Sequence, residues 1–529
     1  MSTAATASTS RAVRRRAGEM SFQWLIVVMV TVLFRVPALR RGRCEGDAGE
    51  DTQVAGIVAG AGWESGSMGR KVAVVGAGIS GLAAAWQLVN DPAGPADLMV
   101  SVFEAADTVG GKLRLDTVAG VAIDVGAESM LARRPEALAL VGELRLDDRV
   151  THPAAVGAAI VSGGRRWPLP RGTLMGVPSD IEALRGLLTD GEVDRAAAEK
   201  ISRTDADVAV GDFVDGRLGR AVTDKLVEPL LAGVYAGHSR AISLEVAVPA
   251  MFAAAREGRS IVELAGRVAA AAAENATPVF ASLVGGLGTL PALLADALGH
   301  RGVQVRTSTT ARALRPDGAG AWVLTTGPTT DAVDEVFDAV VLATPAAPTA
   351  RLLADVAPAA AASLATVDYA SMAIVTIALA GPAPDVLEGS GFLVPPTEAL
   401  TIKAATFSSL KWPWLARAHP DTTFLRASVG RFGEVATLQR PDADLVDLAL
   451  RDLATVLGGP LPVPVDTHVQ RWGGGLPQYT VGHRSRIEAA RAPAAGVATC
   501  GAAYDGVGIP ACIGSGRAAA REVLAHLAG

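Results

Sequence analysis

Six residues, Gly76-Ala77-Gly78-Ile79-Ser80-Gly81, restrict this chain more than any other feature. They follow a short β-branched run, Lys71 to Val75, and precede Leu82 to Val89, which is apolar all round a helix. That context predicts a strand, a tight turn and a helix, the unit that holds the pyrophosphate of a dinucleotide. Each glycine has its own reason: Gly76 makes the turn, Gly78 lets backbone approach the phosphates, and Gly81 lets the helix pack closely. The backbone at Ala77, Ile79 and Ser80 then presents N–H groups and the positive helix end to the anion. A second predicted strand, Met99 to Phe103, ends in Glu104-Ala105. A carboxylate at Glu104 accepts hydrogen bonds from a ribose diol and repels a 2′-phosphate, which disfavours NADP. Alone, the glycine pattern would also fit a turn in an unrelated α/β protein.

The next residues separate flavin from nicotinamide. Gly110-Gly111-Lys112-Leu113-Arg114 follows Glu104 closely, and then comes Ile123-Asp124-Val125-Gly126-Ala127-Glu128-Ser129. A glycine doublet lets a second stretch of backbone lie along the diphosphate and ribityl chain, a contact that flavin-adenine sites have and simple dehydrogenases lack. Lys112 or Arg114 supplies charge to the phosphates. The plainer alternative is a flexible hairpin. Charge excludes another class: 48 basic against 54 acidic side chains give a net charge of −6, without the clustered cationic excess that nucleic acid requires. Three cysteines, Cys44, Cys500 and Cys512, are too few for a disulfide framework and lack ligand spacing, so no metal site is expected and a reducing compartment fits best. Cys500 and Cys512 read as core, leaving the flavin non-covalent.

Residues 1–67 stand apart. Arg11, Arg14, Arg15 and Arg16 precede a 13-residue charge-free run, Phe22 to Phe34, and Arg35, Arg40, Arg41 and Arg43 follow it. The run is short for a bilayer, which needs about 20 apolar residues. An export or anchor segment, a disordered extension and sequence upstream of the true start all compete. The third is favoured, because Met68 is followed at once by Gly69-Arg70 and the first strand.

Longer blocks carry a resemblance. IDVGAESMLARRPEALALVGELRL (123–146), PLPRGTLMGVPSD (168–180), EPLLAGVYAGHS (228–239), IKAATFSSLKWP (402–413), RWGGGLPQYTVGH (471–483) and GAAYDGVGIPACIGSGRAAA (501–520) resemble the oxygen-dependent protoporphyrinogen/coproporphyrinogen oxidase family in its actinobacterial form, within the flavin monoamine-oxidase superfamily. The likeness runs from about Arg70 to the C-terminus. It implies an α/β fold with a Rossmann-like, GR2-type FAD-binding domain assembled from residues 68–130, 280–348 and 470–529. A helical insertion occupies 131–279 and a mixed-sheet substrate domain 349–469. Within these, Val303 to Arg306, Val336 to Thr344 and Val497 to Ala503 read as strands, and about Ala511 to Leu527 as a helix.

The resemblance also implies the chemistry: a six-electron oxidation of coproporphyrinogen III to coproporphyrin III in heme biosynthesis, with protoporphyrinogen IX as a second candidate, hydride transfer to FAD, and O2 leaving as hydrogen peroxide. It places Ala311 on the adenine side, Trp472 near the flavin, and Val507, Gly508 and Ile509 at a helix start facing the flavin pyrimidine edge. Ribityl contacts fall to backbone or Ser129. No dedicated acid or base is needed, and His238 and His483 read as structural. Arg133, Arg134, Lys403 and Lys411 are candidates for the substrate carboxylates, each weighed against an ordinary surface charge. A cytoplasmic setting is expected, with membrane association, transient contact with other heme-pathway enzymes and oligomeric state left open. Rival readings are an amine oxidase, whose aromatic cage would need Tyr479 and Tyr504, a carotenoid-type desaturase, and a non-catalytic flavin- and porphyrin-binding protein.

Overall fold

A computed structural model describes residues 69–274, 277–491 and 493–529. The readings made for residues 1–67 and for a start at Met68 lie outside the described residues. The first strand, β1 (Lys71–Val75), is buried from Val72 onward and leads through the glycine turn into α1 (Ile79–Asn90). Four more strands complete a parallel sheet: β2 (Met99–Phe103), β3 (Gln304–Arg306), β4 (Ala339–Leu342) and β5 (Val497–Thr499). Their order is β3-β2-β1-β4-β5. Every residue of β4 and β5 is buried, as a sheet covered on both faces requires. On one face α1 packs against α2 (Ile509–Ala528), closely enough that a Cβ on Gly516 would lie 2.1 Å from the Ser80 carbonyl oxygen. An antiparallel sheet of Ala311–Pro316, Trp322–Thr326 and Val333–Phe337 covers the other, its Leu314, Trp322 and Leu324 packed with Ala73, Val75, Val340 and Leu342.

The run expected as one strand, Val336 to Thr344, is two strands in two sheets. It breaks at Asp338, whose carboxylate accepts the Lys71 backbone N–H at 2.7 Å and pairs with Arg70 at 2.9 Å. Those polar contacts turn the chain from the antiparallel sheet into β4. The strand expected over Val497 to Ala503 stops at Thr499, because Gly501 takes a φ of +130° that leaves the extended region.

A seven-stranded sheet forms the second layer. Its order is Pro464–Pro477, Tyr369–Ala380, Thr422–Val429, Ile402–Thr406, Gly391–Leu393, Ala159–Ser162 and Arg165–Pro168. All neighbours are antiparallel except Gly391–Leu393 with Ala159–Ser162. Two results differ from the sequence reading. The hairpin 159–168 lies inside the stretch expected to be helical, turning at Gly163 and Gly164, whose N–H groups both reach the Glu398 carboxylate. Trp472 stands on a strand of this second sheet, beyond the boundary drawn at residue 470. The rest of 131–279 is largely helical, from Asp190–Ala197 to Ile261–Glu274. Alternation along the strands gives the sheet two uses: Val375, Ile377, Leu425 and Ala427 bury against the helix Asp442–Leu457, while Met372, Ile374, Arg426 and Ser428 face the nucleotide sheet.

Candidate active site

Between the carboxyl ends of the parallel strands and the open face of the second sheet lies a cavity of about 700 Å³. Parallel α/β sheets place their ligand sites at that end. The glycine turn forms its floor. At Gly76, φ is +102° and an added Cβ would meet the Ala343 oxygen at 3.0 Å; at Gly81 it would meet the Gly76 oxygen at 1.9 Å. Both positions are therefore closed by backbone. Gly78 is the opposite: a Cβ there would find nothing within 4 Å, because the space in front of it is the cavity. The doublet lies alongside, with the Gly110 N–H donating to the Ala77 oxygen at 2.8 Å and Gly78 bridging to Gly110. It is thus part of the cradle and not a loose hairpin.

Glu104 sits at the cavity edge, its two oxygens accepting the N–H groups of Ala77 at 2.7 Å and Ala106 at 2.9 Å, and Ala105 lies beside it. Lys112 lines the wall and burial pushes its pKa down, with no carboxylate beside it among the described residues to restore the charge; Arg114 is exposed and outside the cavity. Ile79, Ser80, Gly111, Ala127 and Ala311 also face the cavity, as do Val507 and Ile509 at the start of α2. That helix has no side-chain cap and carries Pro510 in its first turn, so its N–H groups and positive end are turned toward the space. Trp472 lines the cavity, donates to the Val125 oxygen at 3.3 Å and stacks so closely that a Cβ on Gly126 would sit 3.1 Å from its ring. Ala77, Gly81, Gly508 and Ser129 do not line it; Ala77 and Gly81 are buried in the turn itself.

The charged wall is set by Glu128. Its carboxylate meets Lys411 Nζ at 2.5 Å and Arg426 at 2.9 Å, and Arg426 also donates to the Gly126 oxygen at 2.6 Å. Burial opposes the charge on Glu128, but the two cations outweigh it and hold the carboxyl at about 2. Arg426 lines the cavity and was not singled out from the sequence; only the fold brings it to Glu128, almost three hundred residues away. Asp124, in the same motif, is buried and accepts the N–H groups of Leu287 at 3.0 Å and Gly288 at 2.7 Å, with burial raising its pKa to about 6.

The four cations proposed for substrate carboxylates are not gathered at the cavity. Arg133 donates to the carbonyls of Ala272 and Thr277, and Arg134 pairs with Glu136. Lys403 is buried, donates to the Gly430 oxygen at 2.8 Å, and is lowered by burial, with Arg431 adding, to about 7. Lys411 is committed to Glu128. His238 has acceptors at both ring nitrogens, Glu228 and the Phe432 oxygen, each at 3.1 Å, which favours the doubly protonated ring. His483 donates Nε2–H to the Ala503 oxygen at 2.8 Å and stacks on Tyr479, and burial lowers it to about 4. Tyr479 and Tyr504 are both buried in the core and neither lines the cavity, so the pair needed for an amine cage is not assembled. Cys500 and Cys512 are buried free thiols, raised by burial; Cys512 touches the cavity wall. Among the described residues there is no cluster of side chains able to hold a metal ion.

An open space before Gly78, a half-buried cation at Lys112 without a carboxylate partner among the described residues and a helix N-terminus aimed inward together suit a dinucleotide with a pyrophosphate. The comparisons with known proteins identify the class. A model of the flavin containing amine oxidoreductases matches residues 79–524. Coproporphyrinogen III oxidase of Mycobacterium tuberculosis is 37% identical over 474 residues, 87% of this chain and 98% of its own length. That of Bacillus subtilis is 32% identical over 87% of this chain and 99% of its own, and protoporphyrinogen oxidase of Bos taurus 32% over 86% and 99%. A solved structure described as a protoporphyrinogen oxidase, from Exiguobacterium sp., superposes with a TM-score of 0.76 at 31% identity, covering 87% of this chain and all of that one. Putrescine oxidase, at 19% identity and a TM-score of 0.64, shares the fold. The chain belongs to the flavin containing amine oxidoreductases, and within them to the coproporphyrinogen III oxidases. Its cofactor is FAD.

Proposed function

We propose that this enzyme oxidises coproporphyrinogen III to coproporphyrin III for heme synthesis, with protoporphyrinogen IX as a second substrate. The observation that carries the reading is the cavity: the nucleotide cradle and an open substrate sheet face each other across one continuous space, in a chain 37% identical along almost its whole described length to coproporphyrinogen III oxidases. FAD supplies two-electron redox chemistry, so removal of six electrons and six hydrogens takes three rounds, each closed by O2 with release of hydrogen peroxide.

Residues 68–130 and 280–348 and the segment around α2 hold FAD in this reading. Gly76, Gly78 and Gly81 shape the turn, with Ala77, Ile79 and Ser80 offering backbone; Glu104 and Ala105 take the ribose and Ala311 the adenine side. Gly111 and Lys112 face the phosphates, Gly126, Ala127, Glu128 and Ser129 form the second turn with Trp472 beside it, and Val507, Gly508 and Ile509 lie at the flavin end. A phosphate against Lys112 restores the charge that burial opposes. The second sheet and the helical segment 131–279 enclose the porphyrinogen and exclude water, and Arg426 brings positive charge to the substrate side. No acid or base is assigned: Glu128 is held ionised by two cations, and burial raises the Tyr369 phenol. Two buried free thiols suit a reducing cytoplasm; among the described residues no helix is long and apolar enough to cross a membrane.

The test is to mix FAD-loaded protein with coproporphyrinogen III under nitrogen, follow bleaching of the visible flavin band, then admit air and record porphyrin fluorescence and peroxide. Bleaching followed by both products is expected. A flavin that stays oxidised with coproporphyrinogen III and with protoporphyrinogen IX refutes the reading.

A further inference from the structure

Three side chains from two distant parts of the chain meet behind the second flavin turn: Glu128 on one side, Lys411 and Arg426 on the other. They are largely removed from water, with side-chain exposures of 12%, 19% and 9%. Burying charges in this way costs more than a surface ion pair returns, so the arrangement is a poor device for stability alone. Two cations against one carboxylate leave one net positive charge, in surroundings where a charge is weakly screened. Asp124, on the same motif, accepts the N–H groups of Leu287 and Gly288 and also feels the charges of Arg426 and Glu128, so it offsets part of that positive charge without pairing with either cation.

The placement of Arg426 gives that charge a direction. It stands on the strand Thr422–Val429 with Ser428 two residues on, both on the face that lines the cavity. One of its amino groups reaches Glu128 and the other the Gly126 oxygen, while its Nε–H, although buried, has no acceptor among the described residues. The neighbouring carbonyl, Val125, is taken by Trp472 from the same sheet. The substrate sheet therefore grips two successive carbonyls of the turn, and the grip is also where the surplus charge sits.

We propose that Glu128, Lys411 and Arg426 act as one positioning unit, which fixes the turn at Gly126 against the substrate sheet and sets the electrostatic bias of the cavity toward an anionic, reduced cofactor. Glu128 is then a counter-ion within the unit, not a ligand of the ribityl chain. Arg426 raises the affinity for the reduced state, Lys411 adds to it, and Glu128 moderates both.

The unit predicts opposite signs for opposite charges, which a purely structural lock does not. Wild-type, Arg426→Met, Arg426→Lys, Lys411→Met and Glu128→Gln proteins, each loaded with FAD, are equilibrated anaerobically with a reference dye and no porphyrinogen. Arg426→Met and Lys411→Met are expected to shift the equilibrium toward oxidised flavin by about tenfold, ~30 mV for a two-electron couple. Arg426→Lys keeps the wild-type position, and Glu128→Gln shifts it toward reduced flavin. Lys411→Met serves where Arg426→Met does not load. The proposal is overturned if Glu128→Gln and the two methionine variants move together, if none of them moves the equilibrium, or if every variant including Arg426→Lys loses FAD. Because the readout uses no porphyrinogen, a wrong substrate assignment leaves this result standing, and a failure here leaves the substrate assignment untouched.

Discussion

Gly78 and Gly81 lie three residues apart in one turn, and the structure gives them opposite consequences. At Gly78, φ is −69° and ψ 173°, extended backbone that any residue adopts, and a side chain would enter empty space. Gly78→Val therefore costs the FAD-free fold nothing in contacts and gains about 0.4–1 kcal/mol from a stiffer unfolded chain. In the proposed reading the same side chain occupies the space of the pyrophosphate, and crowding of that kind costs about 1–3 kcal/mol. With tenfold per 1.4 kcal/mol, FAD should bind about 5- to 150-fold more weakly. At Gly81 the ideal Cβ lies 1.9 Å from the Gly76 oxygen, so backbone must move by more than an ångström before any alanine fits. Gly81→Ala should destabilise the apo-protein by about 2 kcal/mol even after the better helix propensity of alanine, roughly 1 kcal/mol, is counted. The assay is a pair of measurements on each apo-variant: thermal melting without cofactor, and quenching of FAD fluorescence on titration. Wild-type FAD affinity in Gly78→Val, or a melting point in Gly81→Ala at or above that of the wild type, would show that the turn is not shaped as argued.

Other outcomes test the surrounding structure. Arg217, 1% exposed and paired with Glu199, also donates to the carbonyls of Ser202 and Arg259, so Arg217→Met should cost about 3–5 kcal/mol in denaturant unfolding while FAD affinity per folded molecule is kept. His483 is held neutral, with a folded value of about 4 against about 6.5 in the unfolded chain. The stability it contributes is thus complete above pH ~6.5 and lost as pH falls toward 4, about 3 kcal/mol in all. His483→Gln, which keeps a donor for the Ala503 oxygen, should flatten that part of the pH–stability curve, and an unchanged slope would contradict the assignment. Tyr479→Phe removes a donor to the half-buried Ala502 oxygen and should cost about 1–2 kcal/mol of stability; a selective fall in turnover without loss of stability would instead place the ring in the reaction.

What the sequence exposed and what it hid follow from range. The unit from Lys71 to Leu82 is legible because its physics is local: strand, turn and helix are adjacent, Gly76 and Gly81 mark where backbone leaves no room for a side chain, and Gly78 marks where the space is left open. β1 and β2 match their predicted bounds for the same reason. The break at Asp338 was hidden because apolar residues stand on both sides of it, and only the Lys71 backbone and Arg70 show why an acid belongs there. The hairpin 159–168 was lost in an Ala- and Arg-rich stretch whose helices dominate the pattern, although Gly163-Gly164 between two short runs was a signal for a turn. Arg426 gave no signal at all, since a cation in a predicted strand gains meaning only from Glu128 across the fold. The cations chosen by proximity to motifs, Arg133 and Arg134, spend their charge on a helix end and on Glu136, a commitment visible only once neighbours are known.

The parallel sheet joins β1 to β4 and β4 to β5, so its cradle is shared between the first and last elements of the described chain. During synthesis the turn at Gly76 is made more than four hundred residues before Val507 and Ile509, which at ribosomal rates is roughly 20–90 s. Until then the floor of the cavity exists without its far wall, and the buried faces of β4 and α1 wait for β5 and α2. A nascent chain therefore presents an incomplete cradle until its last elements emerge, and in the proposed reading the cofactor meets a finished site only at the end of synthesis.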